Sequence, residues 1–145
     1  MLTYLLDVNV LVALTWRDHV FHTAAQRWFA GLDKGSWATS TVTESSLVRV
    51  SMNRAVSKSA VSWSTALDMV ATMRTRPGHT WWSDIDLVAS PLMRRAPVLS
   101  YRQVTDVQLA ALADHYGGRL ATLDAGIVEA LHPDDRALVH IIRVP

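Results

Sequence analysis

Leu2 to Leu14 reads LTYLLDVNVLVAL, and the rest of the chain is interpreted outward from it. Leu2, Tyr4, Leu5 and Leu6 form a short apolar run that leads into Asp7, and apolar residues resume at Val8, Val10, Leu11, Val12 and Leu14. Such a run reads as a buried strand, here handing over to a helix. The carboxylate at the junction is the informative residue. An ionised Asp is expensive to bury unless it is paired, hydrogen-bonded or bound to a metal. Asp7 taken alone suits two roles equally: a cap for the helix that follows, or a ligand.

Downstream the pattern repeats. Phe21, Ala24, Ala25, Trp28, Phe29 and Leu32 recur at helical spacing, which predicts an amphipathic helix ending near Lys34-Gly35. Ser36–Ser40 reads as a short strand. Thr41-Val42-Thr43-Glu44 then matches a capping box and opens a helix carrying Leu47, Val48 and Val50. Val61, Ala66, Leu67, Val70 and Met73 predict a further helix over residues 57–74, broken by Pro77-Gly78. His79–Trp82 reads as a third strand. Residues 84–104 are the least legible; Leu87, Val88, Leu92 and Met93 suggest a short helix limited by Pro91 and Pro97. Thr105-Asp106-Val107-Gln108 reads as a second capping box, opening a helix that Gly117-Gly118 ends. Arg119–Leu123 is a strand ended by Asp124, followed by a short helix over 125–131 and a last strand within 137–144, at the sheet edge. Strands alternate with helices throughout. The expectation is an α/β fold, one domain over residues 1–145, with a mainly parallel central sheet of four or five strands flanked by helices.

The totals exclude several classes. A chain of 145 residues, half of them hydrophobic, can bury a core and is not disordered. With no cysteine there is no disulfide, thiolate nucleophile or cysteine zinc site. No apolar stretch is long enough to span a bilayer, and the N-terminus has neither a charged n-region nor a cleavage site, so a cytoplasmic protein without membrane association is expected. Net charge is only +1, but twelve arginines stand against Lys34 and Lys58. Arginine is the better phosphate fork, although base composition of the gene accounts for such a skew equally well. There is no G-x-S-x-G, P-loop or G-x-G-x-x-G. His19 and His22 lie three apart without a third ligand in view and read as a surface pair.

Asp7, Glu44, Asp106 and Asp124 each fall where a strand or loop hands over to a helix. In open parallel sheets, ligands bind outside the carboxyl ends of the strands. Several acids gathered there do not all stay ionised without a positive partner. A hard divalent cation with oxygen ligands is the natural one, and it would suit phosphodiester chemistry. Against this stands the reading of four unrelated helix caps, which competes for any single residue and poorly for all four. Asp84 and Asp86 are ambiguous: one of them could add to a metal shell, but a solvated loop suits them better.

The segments LLDVNVLVAL (5–14), TSTVTESSLVRV (39–50), RQVTDVQLAALA (102–113) and GRLATLDAGI (118–127) together resemble the PIN-domain ribonucleases, specifically VapC-type toxins of bacterial toxin–antitoxin pairs. The first and third segments are the most specific. The resemblance implies a metal-dependent endoribonuclease that cuts RNA and is silenced by a cognate VapB-type antitoxin, with a homodimer as the usual assembly. It puts Asp7, Glu44, Asp106 and Asp124 on the family's acidic quartet. Asp7 and Asp106 would hold one Mg²⁺ or Mn²⁺, and Glu44 and Asp124 would complete the site. Asn9 and Thr122 fall on its accompanying polar positions, to bond a carboxylate or a phosphate oxygen. Arg17, Arg49, Arg54, Arg94, Arg95 and Arg102, with Trp16 or Tyr101 for stacking, are the candidates for gripping RNA. An antitoxin helix is expected in a groove between the Phe21, Trp28, Phe29 helix and the Leu47, Val48, Met52 face, sending an arginine to the acids. Two other readings stay open: a PIN-like module that binds RNA or protein without cutting, and a haloacid-dehalogenase-like phosphatase, which Asn9 disfavours because that chemistry needs an Asp there. A response-regulator receiver needs a late-strand lysine that is missing.

Overall fold

Successive residues of a strand face opposite sides of a sheet, and the first strand uses both sides for packing. In the computed structural model, which describes residues 2–32, 36–56 and 58–145, Leu5 packs with Ala38, Leu120 and Ala110 on one face. Leu6 packs with Val10, Leu11, Trp37 and Ala121 on the other. A strand apolar on both sides belongs at the centre of a covered parallel sheet. The order is β3-β2-β1-β4-β5, with β1 at Tyr4–Leu6, β2 at Trp37–Ser40, β3 at His79–Trp82, β4 at Arg119–Thr122 and β5 at Val139–Ile141, every pairing parallel. Tyr4 aligns with Trp37 on one side and Arg119 on the other. The expected edge position of the last strand holds. The helices are α1 Val8–Thr15, α2 His22–Ala30, α3 Thr41–Met52, α4 Trp63–Arg74, α5 Pro91–Arg95 and α6 Val104–His115. Residues 125–130 and 133–138 form 3₁₀ turns. Among the described residues, no helix is long and apolar enough to cross a membrane.

Several local expectations need correction. The cap of α3 is Ser40, one residue before the expected Thr41, and its reciprocal partner is Thr43. Glu44 is therefore released from capping. The α6 box is absent: Thr105 lies inside the helix, Gln103 occupies the cap position, and no side chain caps it. A preceding 3₁₀ turn, Tyr101–Gln103, already carries the chain into helical geometry, so the first-turn amides need no Thr105. Helix α4 begins at Trp63, capped by Ser62, rather than near residue 57. Pro91 starts α5 instead of limiting it, because the first helical position needs no N–H. Lys34, Gly35 and Ser57, where two helix boundaries were expected, lie outside the described residues.

Helix α6 ends as the Gly-Gly pair predicts. Gly117 has φ of 68°, and its amide bonds Asp114 O while that of Gly118 bonds Ala113 O, a Schellman ending. Gly118 is needed for a different reason. A Cβ there would stand 2.4 Å from Thr3 O and 2.8 Å from the Trp82 ring. Both are fixed, Thr3 by the start of β1 and Trp82 by stacking on Tyr116 at 4.6 Å. Gly118→Ala is expected to destabilise the fold by about 3 kcal/mol, read as a lower urea midpoint. A wild-type midpoint would mean that this close approach relaxes freely.

Candidate active site

Strand order reverses between β1 and β4: the chain builds outward through β2 and β3, then returns to the other side of β1. A crevice opens at the carboxyl ends of strands at such a switch point. Asp7 follows β1 there and Asp124 follows β4 by one residue. Asp106 is the third residue of α6, whose far end leads through Gly117-Gly118 into β4. The three aspartates therefore come from three segments that the fold brings to one edge.

A network of short bonds fixes Asp7. It caps α1, accepting from Val8 N at 2.6 Å. Its other oxygen accepts from Thr122 Oγ1 at 2.8 Å. The same Thr122 oxygen accepts from Asn9 Nδ2 at 3.0 Å and Asp124 N at 3.1 Å. Asn9 Oδ1 in turn accepts from Leu123 N at 3.1 Å. Asn9 and Thr122 thus take the first of their two expected roles, bonding a carboxylate. Thr122 is fully buried and uses its donor and both lone pairs. Thr122→Val leaves Asn9 and Asp124 N short of a partner, and is expected to cost about 2 kcal/mol in urea unfolding. Thr122→Ser should restore most of that. The Asp7 carboxyl of the Val variant should titrate higher still, because the bond from Thr122 opposes its upward shift; NMR titration reads this directly.

Electrostatically the three aspartates are a strained group. Burial pushes the Asp7 carboxyl above its ordinary range, and the charge of Asp124 adds to the rise. Asp106 is raised to about 6, first by burial, then by Asp7 and Asp124. Asp124 is exposed and caps the 3₁₀ turn that follows, through Gly126 N at 2.9 Å. The cap reading and the cluster reading therefore both apply to Asp7 and Asp124. Among the described residues, the aspartates have no salt-bridge partner, and no three His, Asp or Glu side chains form a ready-made metal cage. Hard oxygens with unmatched negative charge nevertheless suit Mg²⁺ or Mn²⁺, since magnesium keeps several waters and needs only one or two protein carboxylates.

Glu44 stands apart. Arg74, at the end of α4, forks onto it, Nε to Oε2 at 2.7 Å and Nη2 to Oε1 at 2.5 Å. Thr39 Oγ1 donates to Oε2 at 2.7 Å and sits 2.7 Å from His79 Nε2. Since the Thr39 hydrogen goes to Glu44, His79 is the donor in that contact. Nothing in the sequence linked Arg74, Thr39 or His79 to Glu44, because Arg74 is thirty positions away and its helix face was read only for apolar spacing.

The other candidates divide. Arg95 forks onto buried Asp135 and ties α5 to the 133–138 turn, so it is a structural cation. Trp16 is half-buried, with its ring nitrogen enclosed. Tyr101 is 80% exposed, with the Arg102 guanidinium 5.8 Å from its ring. Arg17, Arg49, Arg54 and Arg94 are exposed. His22 bonds Ala13 O and His19 bonds Phe21 N, separate local roles. The α2 aromatics expected to face α3 have other partners: Trp28 bonds and stacks on His140, and Phe29 packs edge-on against Trp37. An open apolar groove of about 670 Å³ lies instead between α3 and α4, lined by Val48, Met52, Trp63, Leu67 and Val70, with Glu44 and Arg49 beside them.

Residues 4–130 match the PIN domain family. Ribonuclease VapC39 of Mycobacterium tuberculosis is 45% identical over 130 residues, 89% of this chain and 94% of that protein. Ribonuclease VapC38 of the same organism is 36% identical over 141 residues, 97% and 98% of the two chains. The crystal structure of Mycobacterium tuberculosis VapC20 aligns with a TM-score of 0.59 over 99% of this chain and all of that one; at 15% identity this is a likeness of fold. With the switch-point aspartates, the five-stranded parallel sheet and these relatives in agreement, the chain belongs to the PIN domain family, as a VapC-type member.

Proposed function

We propose that this protein is a Mg²⁺- or Mn²⁺-dependent endoribonuclease toxin of the cytoplasm that cleaves RNA, arrests translation and growth, and is neutralised by a cognate VapB-type antitoxin. The observation that carries this reading is the gathering of Asp7, Asp106 and Asp124 at the switch point of a VapC-type chain, where burial and neighbouring charge raise Asp7 and Asp106. When bound, the cation supplies an activated water and neutralises charge on the phosphodiester. Asp7 and Asp106 would hold it, and Asp124 beside them would help to position water. Thr122 and Asn9 hold the Asp7 carboxylate in one orientation. Tyr101 stacks an unpaired base, and exposed arginines bind backbone phosphates. The homodimer usual for such proteins belongs to the same reading, with the exposed Val88, Val98 and Leu99 available to a second copy.

The antitoxin is read as an amphipathic helix in the α3–α4 groove, whose apolar lining suits i, i+3, i+4 anchors. An arginine from it would reach the acids and compete with the cation. A small protein encoded beside the toxin is expected to restore growth and to give a nuclease-silent complex that excess Mn²⁺ partly reactivates. Pull-down of that protein without loss of cleavage would remove inhibition from the reading. The deciding test for the enzyme is purified protein on single-stranded RNA with Mn²⁺, Mg²⁺ or chelator. Cleavage confined to the metal arms is expected. RNA bound but uncut in every arm would favour the non-cutting module, and cleavage by metal-free protein would reject the metal.

A further inference from the structure

Asp7 and Glu44 belong to adjacent strands. Asp7 directly follows β1, and Glu44 lies in the first turn of the helix that follows β2. Adjacent strands are about 4.8 Å apart, so the fold brings Glu44 to the same edge as the aspartates. Its carboxylate is nonetheless occupied. It accepts two bonds from the Arg74 fork and one from Thr39, with its side chain only 13% exposed. Arginine stays protonated at any physiological pH, and a fork on a carboxylate is among the stronger polar pairings. The charges that raise Asp106 are those of Asp7 and Asp124. Two electrostatic groups therefore share one edge: an uncompensated aspartate trio and a compensated glutamate.

We propose that Arg74 is a positioning residue that withholds Glu44 from the cation, so that the aspartates alone hold the ion and Glu44 joins them only when the fork opens. This rests on the reading that the aspartates bind a divalent cation. Arg74 is itself 43% exposed and ends α4, so releasing it disturbs no core packing.

The test is Mn²⁺ titration of the full chain, followed by the electron paramagnetic resonance of the free ion. Wild type should bind Mn²⁺ and Asp7→Asn should not; that pair of results tests the underlying site. Glu44→Gln should stay within about twofold of wild type, because a withheld carboxylate contributes no ligand. Arg74→Gln should bind about tenfold tighter. The Arg74→Gln, Glu44→Gln double variant should fall back to the Glu44→Gln value. Arg74→Lys, which keeps the charge and loses the fork, should show part of the gain and serves if the Gln variant folds poorly. The proposal is overturned if Glu44→Gln weakens binding as much as Asp7→Asn, or if neither Arg74 variant tightens it. A gain that persists in the double variant also overturns it, since it would then come from long-range charge. Equal binding by wild type and Asp7→Asn, or none in either, removes the aspartate site and this proposal with it.

Discussion

Asp7→Asn and Asp106→Asn are each expected to abolish RNA cleavage, by about a thousandfold or more, since several kcal/mol of transition-state stabilisation would depend on the cation and each 1.36 kcal/mol is tenfold in rate. The substitutions are nearly isosteric and remove one negative charge each. Asn caps helices about as well as Asp, so the bond from Val8 N that starts α1 survives in Asp7→Asn. The loss is thus expected in folded protein, with the thermal melt as control and gel or sequencing readout of RNA ends as the measurement. Asp124→Asn should lose less, because Asp124 is exposed and its first structural duty is to cap a 3₁₀ turn. A wild-type rate in either Asp7→Asn or Asp106→Asn would place the chemistry elsewhere on the molecule.

The metal-free protein should be more stable at mildly acidic pH than at neutral pH as far as Asp7 and Asp106 determine it, and Mn²⁺ should reverse that. Both carboxyls have folded-state pKa values above the unfolded value, Asp106 moving from 3.8 to about 6. A raised group stabilises the fold fully below its unfolded pKa, and that contribution is lost as pH rises through the folded one. The window for Asp106 therefore runs from about pH 4 to just above 6. Asp106 is partly exposed, so solvent screening reduces the effect to about 1 kcal/mol, or a few degrees in Tm. Bound Mn²⁺ stabilises by mass action, more at pH 7.5 than at pH 5, where protons compete for the same oxygens. Melts at the two pH values, with and without Mn²⁺, measure this. The Asp7→Asn, Asp106→Asn double variant should show neither the acid preference from this site nor the response to Mn²⁺. An equal Mn²⁺ response in that variant would mean that the ion binds elsewhere.

The sequence already determined the sheet and the placement of Asp7 and Asp124 at its carboxyl edge. Leu5-Leu6 before Asp7, and Leu120-Ala121 shortly before Asp124, are apolar on both sides, and only a central parallel strand buries both. A helix must then start at the carboxyl end, which puts the acids that follow there. Local spacing alone was a poor guide to caps. Thr41 and Thr105 fit the box pattern, yet Ser40 does the work in one case and a preceding 3₁₀ turn replaces it in the other. Cap choice depends on where the incoming chain bends, which residues three apart do not encode.

Tertiary structure alone decided the fate of Glu44, the state of the apolar helices and the arginines. Glu44 meets Arg74 because α4 packs across α3, a contact between residues thirty apart. Trp28 and Phe29 are held by His140 and Trp37, so the open groove moved to α3–α4. Arg95 found Asp135 forty positions away. Periodicity reports which face of an element is apolar, because burial repeats with the backbone. It cannot report which element arrives to cover that face, nor which distant charge arrives to pair with a carboxylate, since those depend on how the elements pack in space.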